Sequence, residues 1–431
     1  MKHQLLLDYE FVTTQHGYVV RALIRLEGQA PATAGARVPL NISLVLDRSG
    51  SMHGEKLAAA RDAAAFLVRR LAPEDVITVV AYDGDVHTIA DEHTPRAAVA
   101  QLIQQIEPGG STNLSGGWLR GRELVAGRAR GDKRGMNRVL LLTDGQVNIG
   151  ITDPQKLTGL AATAARTGVT TSTVGFGADY DEALLRAMAD AGAGNTYYIE
   201  RPDQAPGVFE EEIEGLLSLA AQNVAVEVRP SDAVRLTTIW HDYPSTPIPH
   251  GQRIEIGDIY AREPKSLIIE LFVPSSGKTA DADIADLDIA DLDIATVRVT
   301  ADVLTADGGV THQVITIAVR SPLSRAGHSD PSVQEEFLLV KTARAREESL
   351  RRREGGDSEG ASEVLREMAS ELRACAMPES PMLSEQRADL EAMAVRLDDA
   401  SFDAADAKYV AQRAYNAHRA KRKYEDKLRR G

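Results

Sequence analysis

From Pro39 to Ile199, apolar stretches of strand length alternate with amphipathic stretches of helix length, the pattern of a doubly wound sheet with helices on both faces. Four strands read directly. Asn41 to Leu46 (NISLVL), Val76 to Ala81 (VITVVA), Arg138 to Leu142 (RVLLL) and Thr170 to Val174 (TTSTV) are apolar or β-branched and bounded by Gly, Asp or Pro, as buried parallel strands are. Lys56 to Leu71 places Leu57, Ala60, Ala64, Leu67, Val68 and Leu71 at helical spacing, and Pro73 stops that helix. Pro154 opens another, because the N–H it lacks is not needed in a first turn.

Val224 to Arg320 changes to β-type segments: Val224 to Val228, Val234 to Trp240, Arg253 to Ile259, Ser266 to Val273, Ala295 to Leu304 and Gln313 to Val319. Short strands between turn signals predict an antiparallel sandwich. Two more runs, Leu5 to Tyr9 and Tyr18 to Leu26, precede the α/β region and are expected to pair into the same sandwich, making the α/β region an insertion in it. From Ser332 onward, Phe337 to Arg353, Glu363 to Cys375, Leu383 to Leu397 and Asp403 to Arg430 carry helical periodicity. Gly355-Gly356-Asp357 separates the first two of these helices. The expected division is 1–37 (sandwich strands), 38–221 (α/β domain), 222–321 (sandwich) and 332–431 (helices). Asp281 to Ala295 repeats a five-residue unit, DADIA, DLDIA, DLDIA, with six Asp. It lacks an EF-hand glycine and reads as an expanded loop running into the next strand.

A length of 431 residues fits roughly two to three domains. Hydrophobic residues at 43% and charged residues at 26% are ordinary for a globular chain. Forty-nine Lys and Arg against 63 Asp and Glu leave a net charge of −14, which repels nucleic acid and anionic membrane. The single cysteine, Cys375, excludes an intramolecular disulfide framework. Leu5-Leu6-Leu7 is too short for a signal-peptide core, and nowhere do 18 apolar residues run together. A cytoplasmic location without a membrane span is the expectation.

The candidate chemistry lies on loops after strands, where doubly wound sheets place their ligands. Asp47-Arg48-Ser49-Gly50-Ser51 follows the first α/β strand, Gly109-Gly110-Ser111-Thr112-Asn113 precedes a helix, and the strand at Arg138 ends in Thr143-Asp144-Gly145. Together they supply hydroxyls from Ser49, Ser51 and Thr112 and carboxylates from Asp47 and Asp144. With no His or Cys among them, the set suits Mg²⁺, or Mn²⁺ or Ca²⁺, rather than zinc.

At these residues the chain resembles the von Willebrand factor A domain, whose metal-ion-dependent adhesion site is the split motif Asp-x-Ser-x-Ser, Thr, Asp. All five positions are filled. The resemblance covers roughly Val38 to Ala220. The wider layout is similar to a bacterial branch of the family labelled calcium-activated-chloride-channel-like. The resemblance implies that Ser49 and Ser51 ligate the ion directly, Thr112 directly or through water, and that Asp47 and Asp144 anchor coordinating waters. It further implies a coordination position open to an Asp or Glu of another protein. MoxR-type AAA+ ATPases, or kinase and phosphatase modules, are the partners it brings to mind. Arg48, in the variable position of the motif, either meets an acidic partner or stays solvated.

Other signals carry less. Ser276-Gly277-Lys278-Thr279 ends like a phosphate-binding loop, but the first glycine would fall at Phe272 and the Asp-rich repeat follows where a helix should. The ten histidines are scattered, and no nucleophile and base stand paired. Lys408 to Gly431 holds nine Lys or Arg against two acids and reads as a basic helix end docked on an acidic protein. The sequence therefore predicts a non-enzymatic, Mg²⁺-dependent protein-interaction module. RNA binding by the basic C-terminus and metal-dependent hydrolysis are the competing readings.

Overall fold

The computed structural model describes residues 1–9, 17–29, 39–129, 136–144, 147–177, 180–199, 204, 207–210, 212, 215, 218–261, 263–274, 291–305, 310–322, 328–375, 380–399 and 401–419. The chain opens with β1 (Lys2–Tyr9) and β2 (Tyr18–Glu27), an antiparallel pair. It then builds an α/β unit from β3 (Leu40–Asp47), α1 (Glu55–Arg70), β4 (Val76–Tyr82), β5 (Val86–Ala90), α2 (Arg96–Gln104), α3 (Leu114–Ala129), β6 (Met136–Thr143), α4 (Pro154–Arg166), β7 (Val169–Phe176), α5 (Glu182–Ala191) and β8 (Ala193–Ile199). The sheet order is β5-β4-β3-β6-β7-β8, parallel except for the β5 edge.

Alternation along each strand makes the two helical layers. Ile42, Leu44, Val79, Ala81, Leu140 and Leu142 pack with α1 and α2. Val45, Val80, Tyr82, Val139 and Leu141 pack with α3, α4 and α5. Successive side chains of a strand point to opposite faces, so a strand buried on both reads as one continuous apolar run. β5 and β8 escaped the sequence reading because they are edges: β5 is mostly exposed or half-buried, and β8 alternates buried with half-buried positions.

Seven further strands follow: β9 (Leu219–Pro230), β10 (Arg235–Ile239), β11 (Ser245–Ile248), β12 (Gly251–Tyr260), β13 (Lys265–Val273), β14 (Asp291–Leu304) and β15 (Val310–Pro322). They complete two antiparallel sheets, β1-β2-β13-β10 and β11-β12-β9-β14-β15. Val20, Ile24, Ile269 and Leu271 of the first share a core with Val226, Ile254, Val297 and Val299 of the second. β2 lies beside β13 from Leu26↔Lys265 to Tyr18↔Val273. The chain thus leaves the sandwich after β2, forms the α/β unit, and returns to it.

Residues 281–290 of the Asp-rich repeat lie outside the described residues, whereas its last unit is the start of β14. Ile294 and Ala295 are buried there, and Asp293 pairs with Arg320 at 2.9 Å. Deleting 286–290 is therefore expected to leave the melting temperature within about 2 °C, because loop length costs little in closure entropy. Deleting 291–295 removes a core Ile and interrupts the ladder to β15, and should lower it by about 8 °C or more. Thermal unfolding followed by circular dichroism checks both; equal effects would contradict this division of the repeat.

The C-terminal helices are α6 (Pro331–Glu354), α7 (Ser358–Ala374), α8 (Pro381–Asp398) and α9 (Ala404–His418). α6 docks on the first antiparallel sheet, with Val333 against Leu23 and Ile268 and Phe337 edge-on to Trp240 at 4.7 Å. α9 reaches the α/β unit. The Tyr415 hydroxyl donates to Asp190 Oδ1 at 3.0 Å, and Arg419 pairs with the same carboxylate at 2.6 Å. The basic C-terminus accordingly turns Arg413 and Arg419 inward onto acids, Arg413 meeting Glu385 and Asp389 at 3.3 and 3.2 Å. Residues 420–431 of that basic run lie outside the described residues. No helix among the described residues is long and apolar enough to cross a membrane.

Candidate metal centre

β3 ends at Asp47, and the chain turns through Ser49 into a single tight turn, Gly50–Met52, before α1. Because β4 and β6 flank β3 in parallel, the C-terminal ends of all three strands open onto one edge of the sheet. Asp47 is fully buried there. Its Oδ1 accepts from Ser49 N at 2.8 Å, and its Oδ2 accepts from the hydroxyls of Thr143 at 2.6 Å and Tyr82 at 3.3 Å. Burial pushes the Asp47 carboxyl above the usual carboxylate range, against the opposing pull of the Ser49 and Thr143 hydrogen bonds. Tyr82 is seated by α3. A Cβ on Gly117 would stand 2.4 Å from the Tyr82 ring, so a glycine is what lets the helix lie close enough to hold it.

The remaining oxygens follow in a chain. The Ser49 and Ser51 hydroxyls are 3.1 Å apart, and Ser51 Oγ donates to Asp144 Oδ1 at 2.8 Å. Asp144 itself is buried, while Ser51 is exposed, so the cluster opens to solvent at that hydroxyl. The middle loop is laced to the first by backbone: Gly109 N donates to Arg48 O at 2.6 Å, and Gly50 N donates to Gly110 O at 2.8 Å. Thr112 is buried two residues beyond. Its N–H donates to Asn148 Oδ1 at 2.7 Å, and its carbonyl accepts from the N–H groups of Asn148 and Ile149. Hydrogen bonds thus join Asp47, Ser49, Ser51 and Asp144 directly, and Thr112 stands on the loop fastened to them. Gly145, read as part of the third loop, lies outside the described residues.

Arg48 does neither of the things its sequence position proposed. Its guanidinium meets Asp83 Oδ2 at 3.0 Å and the Glu107 carbonyl at 3.5 Å. It clamps the metal-motif loop to the β4–β5 hairpin. Burial raises the Asp83 carboxyl, but the N–H groups of Asp85 and Gly110 and the Arg48 charge together hold it below the usual range. Asp83, Asp85 and His87 bring ligand atoms within 4.8 Å of one another. With Asp83 already engaged by a guanidinium, this group is better explained as the anchor of the loop than as a second metal site.

Lys56 was missed. Its ammonium donates to Asp144 Oδ2 at 3.1 Å. The signal for it is a lysine in the first turn of a helix, where the macrodipole disfavours a cation and a nearby acid is needed to hold it.

With this geometry in view, the comparisons with known proteins fall into place. The family description "von Willebrand factor type A domain" matches residues 41–211. This segment is a von Willebrand factor type A domain. The chain is 30% identical over 275 residues to the uncharacterized protein YfbK of Escherichia coli (strain K12), which is 61% of this chain and 47% of that protein, so the match spans about half the length of that relative. It is 27% identical over 350 residues to the uncharacterized protein sll0103 of Synechocystis sp., covering 77% of this chain and 78% of the relative. Among solved structures, a von Willebrand factor type A protein from Catenulispora acidiphila aligns with a TM-score of 0.63 at 19% identity, over 86% of this chain and 87% of that one. That likeness extends the shared fold past the type A domain into the sandwich and helices.

Proposed function

We propose that Asp47, Ser49, Ser51, Thr112 and Asp144 form a metal-ion-dependent adhesion site that holds a divalent cation, Mg²⁺ first, and through it an Asp or Glu side chain of a protein partner. The observation that carries this reading is the 3.1 Å separation of the Ser49 and Ser51 hydroxyls beside Asp144. Neighbouring ligands around an octahedral Mg²⁺, at about 2.1 Å from the ion, stand about 3 Å apart. Mn²⁺ suits the same spacing; Ca²⁺ asks for a wider one. An ion held by neutral hydroxyls and waters keeps much of its field for an incoming carboxylate.

The site is read as a binding site and not a catalytic one. Both Asp47 oxygens accept hydrogen bonds, and both Asp144 oxygens are engaged, by Ser51 and Lys56, so each carboxylate is occupied as an acceptor rather than poised as a base. In this reading the sandwich (1–37 with 222–321) and the helices (332–431) mount the type A domain (38–221) rigidly. A MoxR-type ATPase or a kinase or phosphatase module, in the cytoplasm, is the partner class that the resemblance favours.

The test is a pull-down with the full chain, with and without EDTA, followed by identification of the captured protein. Capture should require the metal, fall at least tenfold in Thr112→Ala, and fall only a few-fold in Arg48→Ala, whose half-buried ion pair contributes about 1 kcal/mol by ordering the loop. A partner indifferent to EDTA and to Thr112→Ala would move the binding surface to the sandwich or the helices.

A further inference from the structure

Lys56 lies one carboxylate away from the hydroxyl pair. Asp144 receives Ser51 on Oδ1 and the Lys56 ammonium on Oδ2, at 2.8 and 3.1 Å. The lysine is confined rather than free to wave. Its side chain is 31% exposed, and its stem runs over Gly177 at the end of β7, where the backbone has φ +74° and a Cβ would stand 2.8 Å from Lys56 Cε. Gly177 N in turn donates to Ile199 O at 3.0 Å, which fixes the floor of that channel. The ammonium therefore sits against the acid that a bound ion would also use.

We propose that Lys56 is a tethered cation that competes with the divalent ion for the charge of Asp144 and so sets the metal affinity of this site low. This rests on the metal-site reading above. A unit positive charge held close to a doubly charged ion in a partly buried site is strongly unfavourable. The lysine must either share Asp144 with the ion or give the carboxylate up. Either course weakens the ion. The same charge holds the site together when the metal is absent, because Asp144 is buried and needs a countercharge there.

The experiment is a calorimetric titration of the full chain with Mg²⁺ alone, comparing wild type, Lys56→Met, Lys56→Arg and Asp144→Ala, with circular dichroism to follow the fold. Methionine keeps the stem over Gly177 and removes the charge; arginine keeps the charge. Lys56→Met is expected to bind Mg²⁺ about tenfold more tightly than wild type, and the gain should shrink as salt is raised. Lys56→Arg should stay within about threefold of wild type. A packing role for the lysine would instead loosen binding in Lys56→Met. Equal or weaker Mg²⁺ binding in Lys56→Met overturns the proposal while leaving the metal site standing. Absence of binding in wild type, Lys56→Met and Lys56→Arg alike would overturn the metal-site reading and this inference with it.

Discussion

Asp144→Ala and Asp47→Asn should each cost the protein about 100-fold or more in Mg²⁺ affinity, with the fold kept. Asp144 is the point at which the serine loop and the end of β6 meet, through Ser51 Oγ at 2.8 Å. Removing its carboxylate takes away a full negative charge from beside the ion and frees the Ser51 hydroxyl to rotate. Asp47 is harder to replace cleanly. It accepts three hydrogen bonds, from Ser49 N, Thr143 and Tyr82, while fully buried. Alanine there would strand those donors at about 1–3 kcal/mol, confusing lost binding with lost stability. Asparagine retains the volume and one acceptor and removes the charge. Partners that orient ligands or coordinated waters are commonly worth 10–100-fold in metal affinity, and here the charge is lost as well. Calorimetry at neutral pH measures the effect directly. Undiminished Mg²⁺ binding in both variants would remove the assignment of the site.

The largest expected loss of stability lies elsewhere, at Arg138. This residue belongs to β6 of the type A domain, yet it is fully buried against the sandwich. Its Nη1 donates to Ser172 Oγ at 2.7 Å and to Glu212 Oε1 at 3.3 Å, and its Nη2 pairs with Asp258 of β12. Glu212 is further held by Tyr197 OH at 2.6 Å and by Asn195 Nδ2 at 3.2 Å. Arg138→Met leaves two buried carboxylates without their cation. Breaking a buried pair from one side typically costs about 3–5 kcal/mol.

The pH dependence follows from the sign of the Asp258 shift. Burial already pushes its carboxyl above the usual range even with Arg138 beside it, and losing Arg138 raises it further. A folded-state value above the unfolded one means that stability is lost as pH rises from about 4 through the raised value. The deficit of Arg138→Met should thus be larger at pH 8 than at pH 5. Denaturant unfolding at the two pH values reads it out, and a loss under about 1 kcal/mol at pH 8 would show that the cluster is not what joins the two units.

Much of this molecule is legible in one dimension. NISLVL, VITVVA and RVLLL announce strands buried on both faces, and the oxygen-bearing residues immediately after them fall on one sheet edge because parallel strands must end together. Asp153 and Pro154 open α4 just where the proline fits a first turn, and Gly355 to Asp357 separate α6 from α7 as read. These features depend on each residue's own preference for burial or backbone shape, which local spacing records. The charge partners do not. Arg48 to Asp83, Lys56 to Asp144 across 88 residues and Arg138 to Asp258 across 120 join residues that no period relates. A charged side chain in the sequence shows only that it needs water or an opposite charge. Which of the two it finds, and which acid supplies the charge, is settled when the sheets and helices pack and exclude water from one of its sides.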